Sequence, residues 1–188
     1  MKSTREGTER LEEFKRENPL FSLCGLNCGL CTMRVSSHCP GCGQGNRPCR
    51  AARCAMERGI ESCFECPEYP CEIYDRADEY DSFITHLNQR ADMQKAAEIG
   101  IAAYTAEQVE KVELLERLLA EYNSGREKTL FSIAVNLLSV DEVRSAIQEA
   151  DRETAGLPLK EKAKHMTKRL RKTADQHGIE LKLRKKSK

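Results

Sequence analysis

CGLNCGLCTMRVSSHCPGC at residues 24–42, CRAARC at 49–54 and CFECPEYPC at 63–71 hold all ten cysteines of the chain. Three Cys-x-x-Cys pairs lie inside them: Cys28/Cys31, Cys39/Cys42 and Cys63/Cys66. Such a pair points two sulfurs at one ion across a tight knuckle, and adjacent glycine or proline permits the turn. The first two pairs are separated by only a short loop and can close a tetrahedral four-sulfur site at small entropic cost. A second set runs Cys49, Cys54, Cys63, Cys66 and Cys71, with Cys54 on a short helix expected from Pro48 to Arg58 and closed by Gly59. Cys24 and Cys71 are left over, and Cys24 can replace any member of the first site. All ten cysteines are thus candidate metal ligands. His38, beside Cys39, is a further candidate, set against the plainer reading of a solvated loop histidine.

Energetics point to metal as well. Leu26, Leu30, Met33, Val35, Met56, Ile60 and Phe64 are the main apolar residues of this loop-rich segment, and ordering each residue costs roughly 1–2 kcal/mol of backbone entropy. A structural zinc site contributes on the order of 10–16 kcal/mol. Four thiolates suit zinc and iron–sulfur clusters alike, so the cofactor expected is zinc, with an iron–sulfur cluster as the alternative. Knuckles of the Cys-Pro-Gly-Cys-Gly kind lean towards zinc. The Cys24-x3-Cys28-x2-Cys31 spacing is the one by which radical S-adenosylmethionine enzymes hold a four-iron cluster. Those enzymes resemble a large barrel of alternating strands and helices, which the remainder of this chain does not supply. A dithiol redox pair needs a strand before it and a helix after it, and Cys63/Cys66 has neither clearly.

Over the whole chain 32% of residues are charged against 39% apolar, which limits the core to a modest size. The first eighteen residues are polar and no apolar run is long enough to span a bilayer, so the expectation is a cytoplasmic protein. In a reducing compartment clustered cysteines favour metal over a disulfide framework. From Cys71 onward helical periodicity takes over, with helices expected at 71–79, 82–99, 106–123, 127–138, 140–154 and 158–176. Thr105 with Gln108 and Ser139 with Glu142 read as capping boxes, and Gly100, Gly125, Gly156 and Gly178 as C-terminal stops. Leu114, Leu115, Leu118 and Leu119 should face Leu130, Ile133, Ala134, Leu137 and Leu138 across the Asn123-Ser124-Gly125 turn, as an antiparallel hairpin.

The fold class expected is mainly α: a small metal-stapled N-terminal module of knuckles and turns followed by an α-helical bundle. Residues 1–22 form an N-terminal helix and lead-in, with helical character at 8–17 ending at Asn18-Pro19. Residues 23–75 form the cysteine-rich module, 76–178 the helical domain and 179–188 a basic tail.

The motifs at Cys24-Gly-Leu-Asn-Cys28-Gly-Leu-Cys31, Cys39-Pro-Gly-Cys42, Arg53-Cys54-Ala-Met-Glu-Arg-Gly59 and Cys63-Phe-Glu-Cys66-Pro-Glu-Tyr-Pro-Cys71 resemble the prokaryotic cysteine-rich family catalogued as domain of unknown function 3795. The resemblance covers about residues 23–75. It extends less firmly to Tyr122–Arg126 and Phe131–Leu138. It implies zinc binding and no assigned reaction.

Other residues carry competing readings. Arg34, Arg47, Arg50, Arg53 and Arg58 accompany the cysteines without any lysine; they offset thiolate charge, or Arg47, Arg50 and Arg53 contact phosphate from one helix face. Tyr122 to Arg126 is first a helix stop and second a polar binding loop. Residues 160–188 carry twelve Lys and Arg against three acids, so this segment is +9 and the rest −8 within a net charge of +1. One reading is a docked helix plus a short strand through Ile179, Leu181 and Leu183. The other is an anionic partner such as nucleic acid, held through phosphates. Catalytic triads, a His-Glu-x-x-His helix and phosphate-binding glycine loops are absent. Three functions therefore compete: a structural zinc module in recognition or regulation, an iron–sulfur protein in electron transfer or oxygen sensing, and a metal-dependent enzyme with an open ligand position.

Overall fold

The computed structural model describes residues 14–44 and 49–186. Among them lie seven α-helices: α1 (Thr32–Val35), α2 (Arg50–Arg58), α3 (Gln89–Ile99), α4 (Ile101–Tyr122), α5 (Lys128–Leu137), α6 (Val140–Glu153) and α7 (Leu159–Gln176). Three single-turn 3-10 helices join them, at Cys28–Leu30, Cys63–Glu65 and Glu72–Tyr74, and no strand occurs among the described residues. The fold is mainly helical, as expected.

The bundle follows from apolar spacing. Tyr104, Gln108, Lys111, Leu115, Leu118 and Tyr122 are the buried positions of α4, three or four residues apart on one face. In α5 every residue from Phe131 to Asn136 is buried, so this helix is surrounded on all sides. Leu115 and Leu118 pack with Ile133, Ala134 and Leu138 in one cluster, which also takes in Val143 and Ile147 of α6 and Met166 and Leu170 of α7. The helical hairpin expected across Asn123–Gly125 is present.

Helix ends differ in how well their signals read. Ser139 and Glu142 form a true capping box that opens α6. Thr105 and Gln108 do not: α4 already runs from Ile101, and the Thr105 hydroxyl donates to Asn18 Oδ1 at 3.1 Å. Gly100, at φ +85, separates α3 from α4 as the expected stop. Residues 82–88, expected to be helical, are irregular because Asp81 and Ser82 hold this turn to His86 and to the C-terminal segment. The 71–79 helix reduces to the Glu72–Tyr74 turn. Residues 8–13 and Arg47 lie outside the described residues, and Phe14–Glu17 are not helical.

A second apolar cluster joins Phe21, Leu23, Ala52, Ala55, Met56, Cys63 and Tyr74 to Met93, Ala96 and Tyr104 of α3 and α4. Packing therefore continues from the cysteine segment into the helices. Polar groups cross the same boundary. Buried Asn27 donates to Asp92 Oδ2 and Asn136 Oδ1, both at 2.8 Å, and accepts from the Tyr104 hydroxyl at 2.9 Å.

Residues 179–186 form no strand. Leu181 is buried, Ile179 and Leu183 pack on the bundle, and Arg184 clasps Asp81 through its backbone N–H at 2.7 Å and its guanidinium at 2.7 Å. The alternation of the tail thus serves docking, with the backbone held by Asp81 in place of a partner strand.

Gly25 has φ +88, and a Cβ there would collide with Met93, whose Sδ lies at 2.6 Å. Gly59 has φ +69 but nothing within 4 Å of an added Cβ. Gly59→Ala should therefore cost only backbone strain, about 1–2 kcal/mol. Gly25→Ala should cost about 1–3 kcal/mol more from overpacking. Urea unfolding of the two variants checks the difference.

Candidate metal centres

The knuckles are built alike. The N–H of Cys31 donates to Cys28 O at 3.1 Å across one 3-10 turn, and that of Cys66 donates to Cys63 O at 3.1 Å across another. Cys49 caps α2, its sulfur accepting from Ala52 N–H at 3.5 Å, and Cys54 sits one turn further along that helix. Cys71 opens the Glu72–Tyr74 turn. All ten cysteines are free thiols.

Cys54, Cys63, Cys66 and Cys71 line one small cavity of about 20 Å³, together with Arg58, Ile60, Tyr69 and Tyr74. The helix, the third knuckle and the following turn each contribute. Cys71 thus replaces Cys49 in the second group expected from spacing alone. Cys49 instead lies close enough to Cys24 for the two thiols to influence each other's ionisation. Cys42 interacts with Cys24, Cys28, Cys39 and Cys49, and Cys28 with Cys31, which makes these six cysteines one neighbourhood. Cys24 is therefore beside the first group and no longer a leftover.

Electrostatics report the crowding. Burial, with the Cys42 and Cys31 thiols adjacent, pushes Cys28 up to about 12. Burial likewise raises Cys42, and it raises Cys63 with help from Cys54, Cys71 and Cys66. The interaction with the Cys49 thiol, together with burial, raises Cys24 well above the ordinary thiol range. In the opposite sense, the same interaction brings Cys49 down to about 6 against the effect of burial, with N–H groups of Ala52 and Ala51 assisting. Thiolates packed this closely disfavour one another, and a cation among them inverts that effect. Among the described residues no set of three or more Cys, His, Asp or Glu side chains stands in a ready-made ligand arrangement. Four thiols are a soft donor set, and they line a cavity of about 20 Å³.

Arginines divide between loop support and thiol contact. Arg58 donates to Cys66 Sγ at 3.4 Å and pairs with Glu68 at 2.7 Å, while Arg50 pairs with Glu72 and Arg53 is exposed. Arg34 donates to Pro19 O at 3.1 Å. His38 is exposed, and only its backbone is held, by Met33 O. Arg16 was invisible in a charged stretch of sequence. Its side chain is 1% exposed and reaches Cys42 O, Asn18 O, Phe21 O and Glu61. Around Asn123 the loop's polar groups satisfy each other: Asn123 Oδ1 accepts from Gly125 and Glu127, and Glu127 holds Ser124. That supports the helix-stop reading.

Tyr74 lies between the two thiol groups. Its hydroxyl donates to Cys24 O at 3.2 Å and lies beside the Cys63 thiol. No protein-family profile, curated protein or solved structure matches the chain, and no helix is long and apolar enough to cross a membrane.

Tyr74→Phe should cost about 1 kcal/mol, the net worth of one hydrogen bond. The loss stays small because Gln89 Nε2 also donates to Cys24 O, at 2.7 Å. Thermal unfolding of the variant measures it.

Proposed function

We propose that the protein is a cytoplasmic metal-binding protein with one or two structural zinc sites held by thiolates, acting in recognition or regulation with no chemistry at the metal. The observation that carries this reading is the convergence of Cys54, Cys63, Cys66 and Cys71, from three successive elements, on one cavity. Its volume of about 20 Å³ is close to one water-sized sphere, which favours a single ion over a four-iron cluster. The resemblance of residues 23–75 to the family catalogued as domain of unknown function 3795 supports the same reading. The ions would fix the loops around Cys24–Cys71, where three 3-10 turns and two short helices leave much backbone without regular structure.

Anaerobic purification with metal analysis and an absorption spectrum tests it. The expected result is colourless protein with one to two zinc per chain. Brown protein absorbing near about 400 nm, with iron and labile sulfide, overturns it in favour of an iron–sulfur centre. Cys71→Ser should remove about one metal equivalent, because hydroxyl is a poor substitute for thiolate at a soft site. Cys49→Ser should leave that equivalent in place.

A second reading concerns the basic segment. Lys164, Lys168 and Lys172 line one groove along α7 with His165, Glu161 and Glu153, and Arg169 in the same groove is already paired with Glu149 and Glu153. Three unpaired lysines one turn apart suit a phosphate backbone. Titration with mixed oligonucleotides should show binding at roughly 50 mM salt that falls steeply by roughly 200 mM. Lys164→Glu/Lys168→Glu should abolish it; no binding at low salt eliminates the nucleic-acid partner.

A further inference from the structure

Away from the thiols, α3, α4, the end of α5 and the start of α6 border a wide, open cleft of about 680 Å³, within the range of about 300–1,000 Å³ spanned by small-molecule sites. Its floor is polar and buried. Asn136 is 2% exposed, and the Lys111 side chain is 9% exposed. Asp92 lies beside them, held by Asn27 and Asn88 through Oδ2.

This floor is not fully satisfied from within. The Lys111 ammonium has three donors. One reaches Asn136 O at 3.2 Å, and the Glu107 carboxylate is 4.0 Å away. Burial pulls Lys111 below the ordinary lysine range, and burial pushes Asp92 up to about 6 against the pull of Lys111. Buried charges with incomplete pairing cost stability, which apolar residues of like volume avoid, and such groups gathered in a cleft mark ligand sites.

The walls carry both signs. Glu107, Glu110 and Asp141 face the same space as Lys95 and Arg144. Lys95 pairs with Glu107, and Arg144 bridges Glu110 at 3.2 Å and Asp141 at 2.9 Å. Val140 and Asp141, also lining the cleft, stand in the first turn of α6, where backbone N–H groups have no intrahelical acceptor. A ligand of one charge sign is repelled by part of this wall, whereas one that carries both signs is matched.

We propose that the cleft binds a small zwitterion of the α-amino acid class, its carboxylate towards Lys111 and the amides opening α6, its ammonium towards Glu107 and Glu110. The site is separate from the thiols, and its chemistry does not depend on which metal they hold.

The test uses the full chain as purified, with metal content measured in every sample. Free L-amino acids are titrated singly, with acetate and methylamine as half-ligands, while amide resonances and thermal unfolding are followed. At least one amino acid should bind saturably below about 10 mM and move the Val140 and Asp141 amides. Each half-ligand should bind at least about tenfold more weakly. Lys111→Met should weaken binding by at least about tenfold. Glu110→Gln, at a half-exposed rim position, should weaken it with the unfolding midpoint unchanged, which a purely structural role for the cluster does not predict. No saturable binding of any amino acid overturns the proposal, as does binding untouched by both substitutions or half-ligands binding as tightly as the zwitterion. Because metal content is read separately, a failed zinc assignment leaves this result standing.

Discussion

The Asn27 amide is buried between Cys24 and Cys28 and must be hydrogen-bonded where it lies. Its partners sit on three helices: Asp92 on α3, Tyr104 on α4 and Asn136 on α5. Satisfying one side chain therefore fixes the first cysteines relative to the whole bundle. The glycines on either side make the approach possible. Gly25 lies against Met93, and a Cβ at Gly29 would come within 2.8 Å of Val112 Cγ2. Leu30, one residue past Gly29, completes the insertion by joining the bundle core.

Arg16 performs the corresponding task on the other side of the loops. Burying a guanidinium demands several acceptors, and it finds three backbone carbonyls and Glu61. Burial pulls the Glu61 carboxyl upward, but Asn18 and Arg16 together hold it below its ordinary value. Together Asn27 and Arg16 position backbone segments that have little regular structure of their own. What they do not resolve is the mutual repulsion within each of the two thiol groups once ionised. A bound cation would, so the two polar anchors and the metal are complementary in the proposed role.

Helices α4, α6 and α7 were legible because each buries one stripe at three- and four-residue spacing, as in Ala163, Met166, Leu170 and Ala174, and α5 because its apolar run is bounded by the Asn123–Gly125 turn and the Ser139 cap. The Ser139 capping box was legible for a similar reason, since its two partners are three residues apart and meet without tertiary help. The Thr105–Gln108 pattern has the same spacing and residue classes and failed, because α3 and Gly100 deliver the chain so that α4 begins at Ile101. At the C-terminus, alternation of Ile179, Leu181 and Leu183 marked an inward side but not a strand. Arg184 and Asp81, distant in sequence, supply the tail's hydrogen bonds.

The sequence by itself determined a mainly helical chain with a loop-built cysteine segment and a basic end, since composition, knuckle spacing and periodicity are local properties. Only the tertiary structure decided that Cys71 joins Cys54, Cys63 and Cys66 while Cys49 lies close to Cys24. Only the tertiary structure, too, brought Asn27, Asp92, Lys111 and Asn136 together at one cleft floor. The physical reason is the same in both cases. Spacing limits which residues can meet, but which of them do meet is set by how buried polar groups and apolar faces from distant segments are satisfied at once.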